Sequence, residues 1–370
     1  MIRVLHIVYV MDRGGLETSI MDLYRNIERS KIQFDFLVHT EKKGDYDDEI
    51  YSLGGQIFYV VPRNKGIIAN RKSLDNFFKK HSDYKIVHAH ASSLSYLEPL
   101  IYAKKYKIPV RILHSRSTNE NGRFIHKYLH TLNRIFLKKI ATNYFACSDL
   151  AAVWMFGRKM TNENKCVIIK NARNIDEFIY NPIIRNIKRD ELALKDKFVI
   201  GHVGRFTEAK NHMFLINVFK EIRKAYIDSV LILVGDGNLR HEIETKIKQL
   251  NLQDNVMLLG VRSDISDLLQ TFDVFLFPSL WEGLPGTVVE AQSSGLPCVI
   301  SNTITKQVKA SDLLEFVSLK ESAKYWADKV LSYNSGYERK DMRNEMVKSG
   351  FDIKESTKWL QKFYSESIKQ

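Results

Sequence analysis

Asp273-Val274-Phe275-Leu276-Phe277-Pro278-Ser279-Leu280-Trp281-Glu282-Gly283-Leu284-Pro285-Gly286-Thr287-Val288-Val289-Glu290-Ala291 joins an unbroken apolar run to a loop poor in side chains and then to a helical stretch. A strand that is apolar throughout is buried on both faces, as in a parallel sheet covered by helices. Gly283, Pro285 and Gly286 turn the chain tightly. A helix starting near Thr287 then points its free N–H groups and positive dipole end at the crevice beyond the strand, where a diphosphate fits. Glu282 precedes the loop and Glu290 lies one turn into the helix. Both carboxylates can reach one ligand and accept hydrogen bonds from sugar hydroxyls.

Working outward, short apolar runs of this kind alternate with longer amphipathic stretches along the chain. The expected strands are Val4–Val8, Phe34–Val38, Ile57–Val61, Ile86–Ala89, Val110–Leu113 and Tyr144–Ala146, then Val199–Val203, Val230–Val234, Val256–Leu259, Val274–Phe277, Cys298–Ser301 and Leu314–Val317. Strand and helix in alternation predict two doubly wound α/β domains. The polar stretch 171–196, with Pro182 and a run of charges, marks the join. Ligands of such sheets bind beyond the carboxyl ends of the strands, so the loops there are the ones to read.

Gly201-His202-Val203-Gly204-Arg205-Phe206-Thr207-Glu208-Ala209-Lys210-Asn211 puts two cations, Arg205 and Lys210, just after a strand. There they can neutralise a departing diphosphate, although a solvated basic loop would look the same in isolation. Gly14-Gly15 after the first strand allows a backbone to approach a phosphate or sugar, or simply makes a tight turn. Val234-Gly235-Asp236-Gly237-Asn238-Leu239-Arg240 nearly spells a dinucleotide fingerprint, but Arg240 stands at the third glycine, which speaks against a dehydrogenase. In Ile86-Val87-His88-Ala89-His90 the two histidines share a strand face. His88 reads as structural and His90 as a hydrogen-bonding partner of donor sugar or acceptor. Zinc would need further ligands that the scattered Cys147, Cys166 and Cys298 do not suggest. The chain has no nucleophile elbow, zincin motif or P-loop.

The charge of +13 is uneven. Residues 1–180 hold 29 Lys/Arg against 18 Asp/Glu, a balance of +11, and residues 181–370 hold 27 against 25, or +2. Residues 101–140 alone carry ten basic side chains and one acid, Glu120. Such a patch suits anionic lipid, a phosphorylated substrate or nucleic acid, but no groove-reading motif or aromatic platform favours nucleic acid. No apolar run is long enough to span a bilayer. The N-terminal run reads as a buried strand rather than a signal peptide, and the cysteine usage fits a reducing cytosol. Within the basic region, Arg123 to Ile140 reads as an amphipathic helix. Its apolar side (Ile125, Tyr128, Leu129, Leu132, Phe136, Ile140) is expected on the sheet, and its basic side (Arg123, Lys127, Arg134, Lys138) in solvent or, with Lys104, Lys105 and Lys107, on a membrane.

Together these motifs resemble the family-4 retaining glycosyltransferases of the GT-B fold, most of all the bacterial branch that makes exopolysaccharide and capsule. Glu282 and Glu290 match that family's Glu-x7-Glu element. Gly204, Arg205, Phe206, Lys210 and Asn211 match its Gly-Arg-Phe…Lys-Asn element. The resemblance implies two Rossmann-like domains facing a central cleft. Residues 1–175 would bind acceptor, with the last helix, about 352–370, packing back on them, and residues 176–351 would bind donor. It implies a diphosphate clamp of Arg205 and Lys210, a ribose ligand in Glu290, and a donor-sugar contact from Glu282 with the backbone of Gly283, Leu284, Pro285, Gly286 and Thr287. Gly204 and Gly15 would line the phosphate region, and Val261 and Arg262 the nucleobase. Gly14, His90, His114 and Arg116 would face the acceptor, with His90 also counted as catalytic. The implied reaction moves a sugar from a nucleotide-sugar, most simply a UDP-sugar, to a lipid-linked saccharide at the inner face of the membrane. It would proceed without metal or other cofactor and without a protein nucleophile. Another GT-B activity, such as nucleotide-sugar epimerisation, or a non-enzymatic module binding anionic polymers, are the alternatives. Two departures stand out: Lys170-Asn171-Ala172-Arg173-Asn174-Ile175-Asp176 where relatives often read Pro-Asn-Gly-Ile-Asp, and Arg116 where they often have histidine.

Overall fold

The computed structural model describes residues 1–118 and 124–369, with side chains for all of these except 124–127. The chain forms two compact units, Met1–Asn171 with Ile353–Gln370, and Ala172–Asp352. The first is built on strands β1 (Ile2–Val8), β2 (Ile32–Val38), β3 (Ile57–Tyr59), β4 (Ile86–Ala91), β5 (Val110–Ser115), β6 (Asn143–Ala146) and β7 (Val167–Ile168). They lie in the order β3-β2-β1-β4-β5-β6-β7 and every pair is parallel. The second unit holds β8 (Phe198–Val203), β9 (Ser229–Val234), β10 (Val256–Gly260), β11 (Val274–Phe277), β12 (Cys298–Ser301) and β13 (Leu314–Val317). Their order is β10-β9-β8-β11-β12-β13, again all parallel.

Each apolar run read as a strand is one, because strands buried on both faces leave an unbroken hydrophobic signature; β2, β8, β9, β11 and β12 are buried at every residue. The edge strand β7 is additional. It is two residues long, with Val167 exposed, and so carries no such signature.

Both sheets reverse direction once, between β1 and β4 and between β8 and β11. These switch points open a crevice at the strands' carboxyl ends. Gly14, Arg205 and Glu282 follow β1, β8 and β11, and His90 is the penultimate residue of β4.

The helix Ile353–Ser367 belongs to the first unit. It packs against the helix Gly15–Asn26 and buries Tyr364 edge-on to Phe34, 6.2 Å between ring centroids.

The helix Phe124–Ile140 corrects the expectation for its faces. Tyr128, Leu132 and Phe136, expected on the sheet, are 62%, 39% and 48% exposed, and Ile135 is 71% exposed. The inward line is instead His130, Asn133, Arg134 and Leu137. Asn133 donates to the Leu94 carbonyl at 2.7 Å, His130 accepts from the Leu94 N–H at 3.1 Å, and Arg134 donates to the Trp154 carbonyl at 2.6 Å. The polar side chains satisfy loop backbone that would otherwise be buried without partners, and this turns the apolar stripe outward. Arg123 lies outside the described residues, as do the side chains of Ile125 and Lys127.

Candidate functional site

In the second unit the loops after β8 and β11 are tied together. The Leu280 N–H donates to the Ala209 carbonyl at 2.8 Å, and Asn211 Nδ2 to the Pro278 carbonyl at 3.1 Å. Asn211 is left-handed, at φ 56°, ending the short turn Glu208–Lys210 and starting the next helix. This turn aims Lys210 back across the strand end. Its ammonium donates to Glu282 Oε1 at 2.6 Å and sits 4.7 Å above the Phe277 ring. Gly204 makes room for it, since a Cβ there would lie 3.1 Å from Lys210 Cε. Arg205 is exposed, with no side-chain partner among the described residues. Two cations and one carboxylate thus meet at the switch point, one cation paired and one facing solvent.

The Gly283–Gly286 loop leads into the helix Gly286–Ser293, as expected. Glu290, one turn into this helix, is 6% exposed and accepts from Arg173 Nε at 2.6 Å. Thr287 Oγ1 and Ser279 Oγ are buried beside this loop without a hydrogen-bonding partner among the described residues. At the end of β10, Val261 is 59% exposed, and Arg262 forms a two-armed ion pair with Asp264 at 2.6 and 2.8 Å. The near-fingerprint glycines have a packing role. Gly235, at φ 135°, passes so close to the Gly204 carbonyl that a Cβ would lie 2.2 Å from it.

In the first unit the helix Gly15–Asn26 starts at the glycine pair, with open space beyond Gly15. Register pairs His6 with His88 and His90 with His114, which gathers four imidazoles on one sheet face. Arg116 Nε donates to His90 Nδ1 at 3.1 Å, and His90 Nε2 lies 2.9 Å from His6 Nδ1. A guanidinium cannot accept, so His90 carries its proton on Nε2 and donates it to His6. His88 bridges the Tyr364 hydroxyl at 2.6 Å and His114 at 3.0 Å, the structural role expected of it. His114 is 1% exposed. Burial holds His88, His90 and His114 well below the ordinary histidine value and pushes His6 down to about 3, with the Arg116 charge acting in the same direction. Both ring nitrogens of His90 are engaged within the unit, so a hydrogen bond to a sugar requires it to exchange one. Arg116 Nη1 also donates to Asn171 Oδ1 at 2.9 Å.

Ligand atoms of His6, His88 and His90 lie within 4.8 Å of one another, close enough to ask whether they hold a metal. His6 and His90 lie nearly coplanar, at 8° with centroids 5.3 Å apart, joined edge to edge through the 2.9 Å hydrogen bond, and His88 stacks on His90 at 4.3 Å, so the facing ring nitrogens of His6 and His90 are already bonded to each other. A cation there would also face the Arg116 guanidinium. A metal ion would have to displace the His6–His90 hydrogen bond and sit beside that positive charge.

A family model described as Glycosyltransferase Family 4 matches residues 13–177, and one described as Glycosyl transferases group 1 matches residues 184–350. The Bacillus subtilis protein named as the glycosyltransferase EpsF is 35% identical over 376 residues, covering 100% of this chain and 97% of its own. The chain belongs to the family-4 glycosyltransferases. A UDP-Gal:alpha-D-GlcNAc-diphosphoundecaprenol alpha-1,3-galactosyltransferase of Escherichia coli is 30% identical across 91% of this chain and 90% of its own. The capsular polysaccharide biosynthesis glycosyltransferase CapH of Staphylococcus aureus is 27% identical across 98% and 99%. Among solved structures, HepE of Anabaena in complex with UDP and glucose superposes with a TM-score of 0.81 at 16% identity, over 99% of this glycosyltransferase and 100% of HepE. The two parallel sheets are those of the GT-B fold.

Two participants escaped the sequence reading. His6 was legible only through strand register, which pairs it with His88. Arg173 lies in the stretch 170–176 that departs from the family pattern, and nothing in that stretch signals its pairing with Glu290.

Proposed function

We propose that this glycosyltransferase moves a sugar from a UDP-sugar, with retention of configuration and without a metal ion, to a lipid-linked diphospho-saccharide during polysaccharide synthesis. The observation that carries the reading is the Lys210–Glu282 pair beside exposed Arg205 at the β8/β11 switch point. It is supported by similarity, over 91% of this chain, to an enzyme whose name specifies UDP-Gal and a diphosphoundecaprenol acceptor. In this reading Arg205 and Lys210 take up the charge that grows on the diphosphate as the glycosidic bond breaks. Glu282 and the Gly283–Thr287 backbone hold the donor sugar. Glu290 accepts hydrogen bonds from the ribose, and Val261 and Arg262 flank the base. The acceptor enters on the side of Gly14, Gly15, His90, His114 and Arg116, and attacks the face from which the diphosphate leaves.

Peripheral membrane binding belongs to the same proposal. No helix among the described residues is long and apolar enough to cross a membrane. The helix Phe124–Ile140 instead exposes Tyr128, Leu132, Ile135 and Phe136 next to Lys138 and Lys139, and packs against the helix Glu98–Lys105, where Lys104 and Lys105 are exposed. Apolar side chains flanked by lysines suit the boundary of an anionic bilayer. That is where a lipid-linked acceptor resides.

The test is to incubate the protein with UDP-sugars and a short polyprenyl-diphospho-saccharide, and to assign the new anomeric proton by NMR. The expected product is an α-linked saccharide from an α-configured donor. An inverted product, or epimerised donor without transfer, would overturn the reading.

A further inference from the structure

Arg173 lies in the stretch 170–176 that departs from the family's Pro-Asn-Gly-Ile-Asp pattern, and it is 2% exposed. Its backbone is clamped: the N–H donates to the Phe351 carbonyl at 2.9 Å, and the residue forms a parallel bridge with Asp352. From there Nε donates to Glu290 Oε1 at 2.6 Å and Nη1 to the Ala172 carbonyl at 3.1 Å. Nη2 lies against Gly286, where a Cβ would come within 1.9 Å of it. Gly286 therefore admits the guanidinium as well as starting the helix.

A cation at a helix N-terminus works against the dipole, so Arg173 does not serve that helix's stability. What it does is hold a carboxylate. A glutamate side chain has several rotatable bonds, and fixing it before a ligand arrives removes an entropic cost of binding. The guanidinium is a planar fork, already organised for this. Each carboxylate oxygen has two lone pairs, so the Nε contact to Oε1 leaves acceptor capacity on both oxygens for hydroxyl donors.

We infer that Arg173 is a positioning residue for nucleotide-ribose recognition, fixing the Glu290 carboxylate so that it selects nucleotides bearing ribose hydroxyls. The inference rests on the reading of Glu290 as the ribose ligand.

Calorimetric titration of wild type, Arg173→Ala, Arg173→Lys and Glu290→Ala with UDP and with 2′,3′-dideoxy-UDP separates the two. The ratio of affinities cancels any general effect of charge on diphosphate binding. Wild type is expected to prefer UDP by about tenfold or more, the scale of a charge-assisted hydrogen bond. Arg173→Ala and Glu290→Ala should reduce the preference to about twofold or less, and Arg173→Lys should retain part of it. Absence of a preference in wild type would remove the ribose role of Glu290 itself. A wild-type preference that survives intact in Arg173→Ala, whatever happens to overall affinity, would overturn the positioning role alone. Should Arg173→Ala not fold, an undiminished preference in Arg173→Lys would overturn it equally.

Discussion

Lys210 and Glu282 are joined at 2.6 Å across the loops that follow β8 and β11, with Lys210 stacked over Phe277. The pair neutralises both charges until a diphosphate competes for the ammonium. Charge on that diphosphate is greatest in the transition state, so Lys210→Ala and Arg205→Ala should lower kcat more than they raise KM. Steady-state kinetics with varied donor decide this. A change confined to KM would mean uniform binding and no leaving-group role.

Glu290→Ala should weaken nucleotide binding by about 1.5–3 kcal/mol, the cost of losing a charge-assisted hydrogen bond. It should also lower the melting temperature, because Arg173 keeps its buried charge without that partner. Calorimetry and thermal melting read the two effects separately. Unchanged UDP affinity would sink the ribose assignment.

Transfer should persist in EDTA. Arg205 and Lys210 supply positive charge at the switch point, and in the first unit the facing nitrogens of His6 and His90 are bonded to each other, with Arg116 on the far side of His90. Loss of activity in chelator, restored by Mg²⁺ or Mn²⁺, would replace the metal-free mechanism.

The outward apolar stripe changes which substitutions test membrane docking. Arg134 is committed to the Trp154 carbonyl, so reversing it would disturb the fold. Ile135→Glu with Phe136→Glu should abolish co-sedimentation with anionic liposomes and leave UDP binding intact, while Lys138→Glu with Lys139→Glu should weaken it in a salt-dependent way. Equal sedimentation of all three proteins would rule the surface out.

The buried histidines make stability depend on pH above the range where carboxylates titrate. His6 is pushed down to about 3, and His88, His90 and His114 lie well below 6.5. Below about pH 6.5 the unfolded chain binds protons at these sites and the folded chain does not, so stability is complete above that pH and falls as pH falls towards the folded values. His202 and His212 in the second unit act in the same direction. Scanning calorimetry should show the melting temperature dropping between pH 6.5 and 5. A flat or rising profile there would mean that these rings are protonated in the folded state.

The fold was legible because doubly buried strands are unbroken apolar runs, and the donor-side loops because glycine, proline and charge concentrate where strands end. Two things were not. The inward face of Phe124–Ile140 is held by His130, Asn133 and Arg134 through hydrogen bonds to loop carbonyls and amides, and a hydrophobic periodicity cannot register polar groups used in that way. Arg173 and Glu290 lie 117 residues apart, and an ion pair at that separation exists only once the second unit has folded.

Because Ile353–Ser367 completes the first unit and Tyr364 closes over His88, the order of assembly during synthesis runs against the order of the chain. Domains usually mature from the N-terminus as they leave the ribosome. Here the second unit is one continuous segment, Ala172–Asp352, and its last residue emerges before the helix that the first unit still lacks. The nascent first unit therefore waits, with the His88 face of its sheet uncovered, until residues 353–370 arrive.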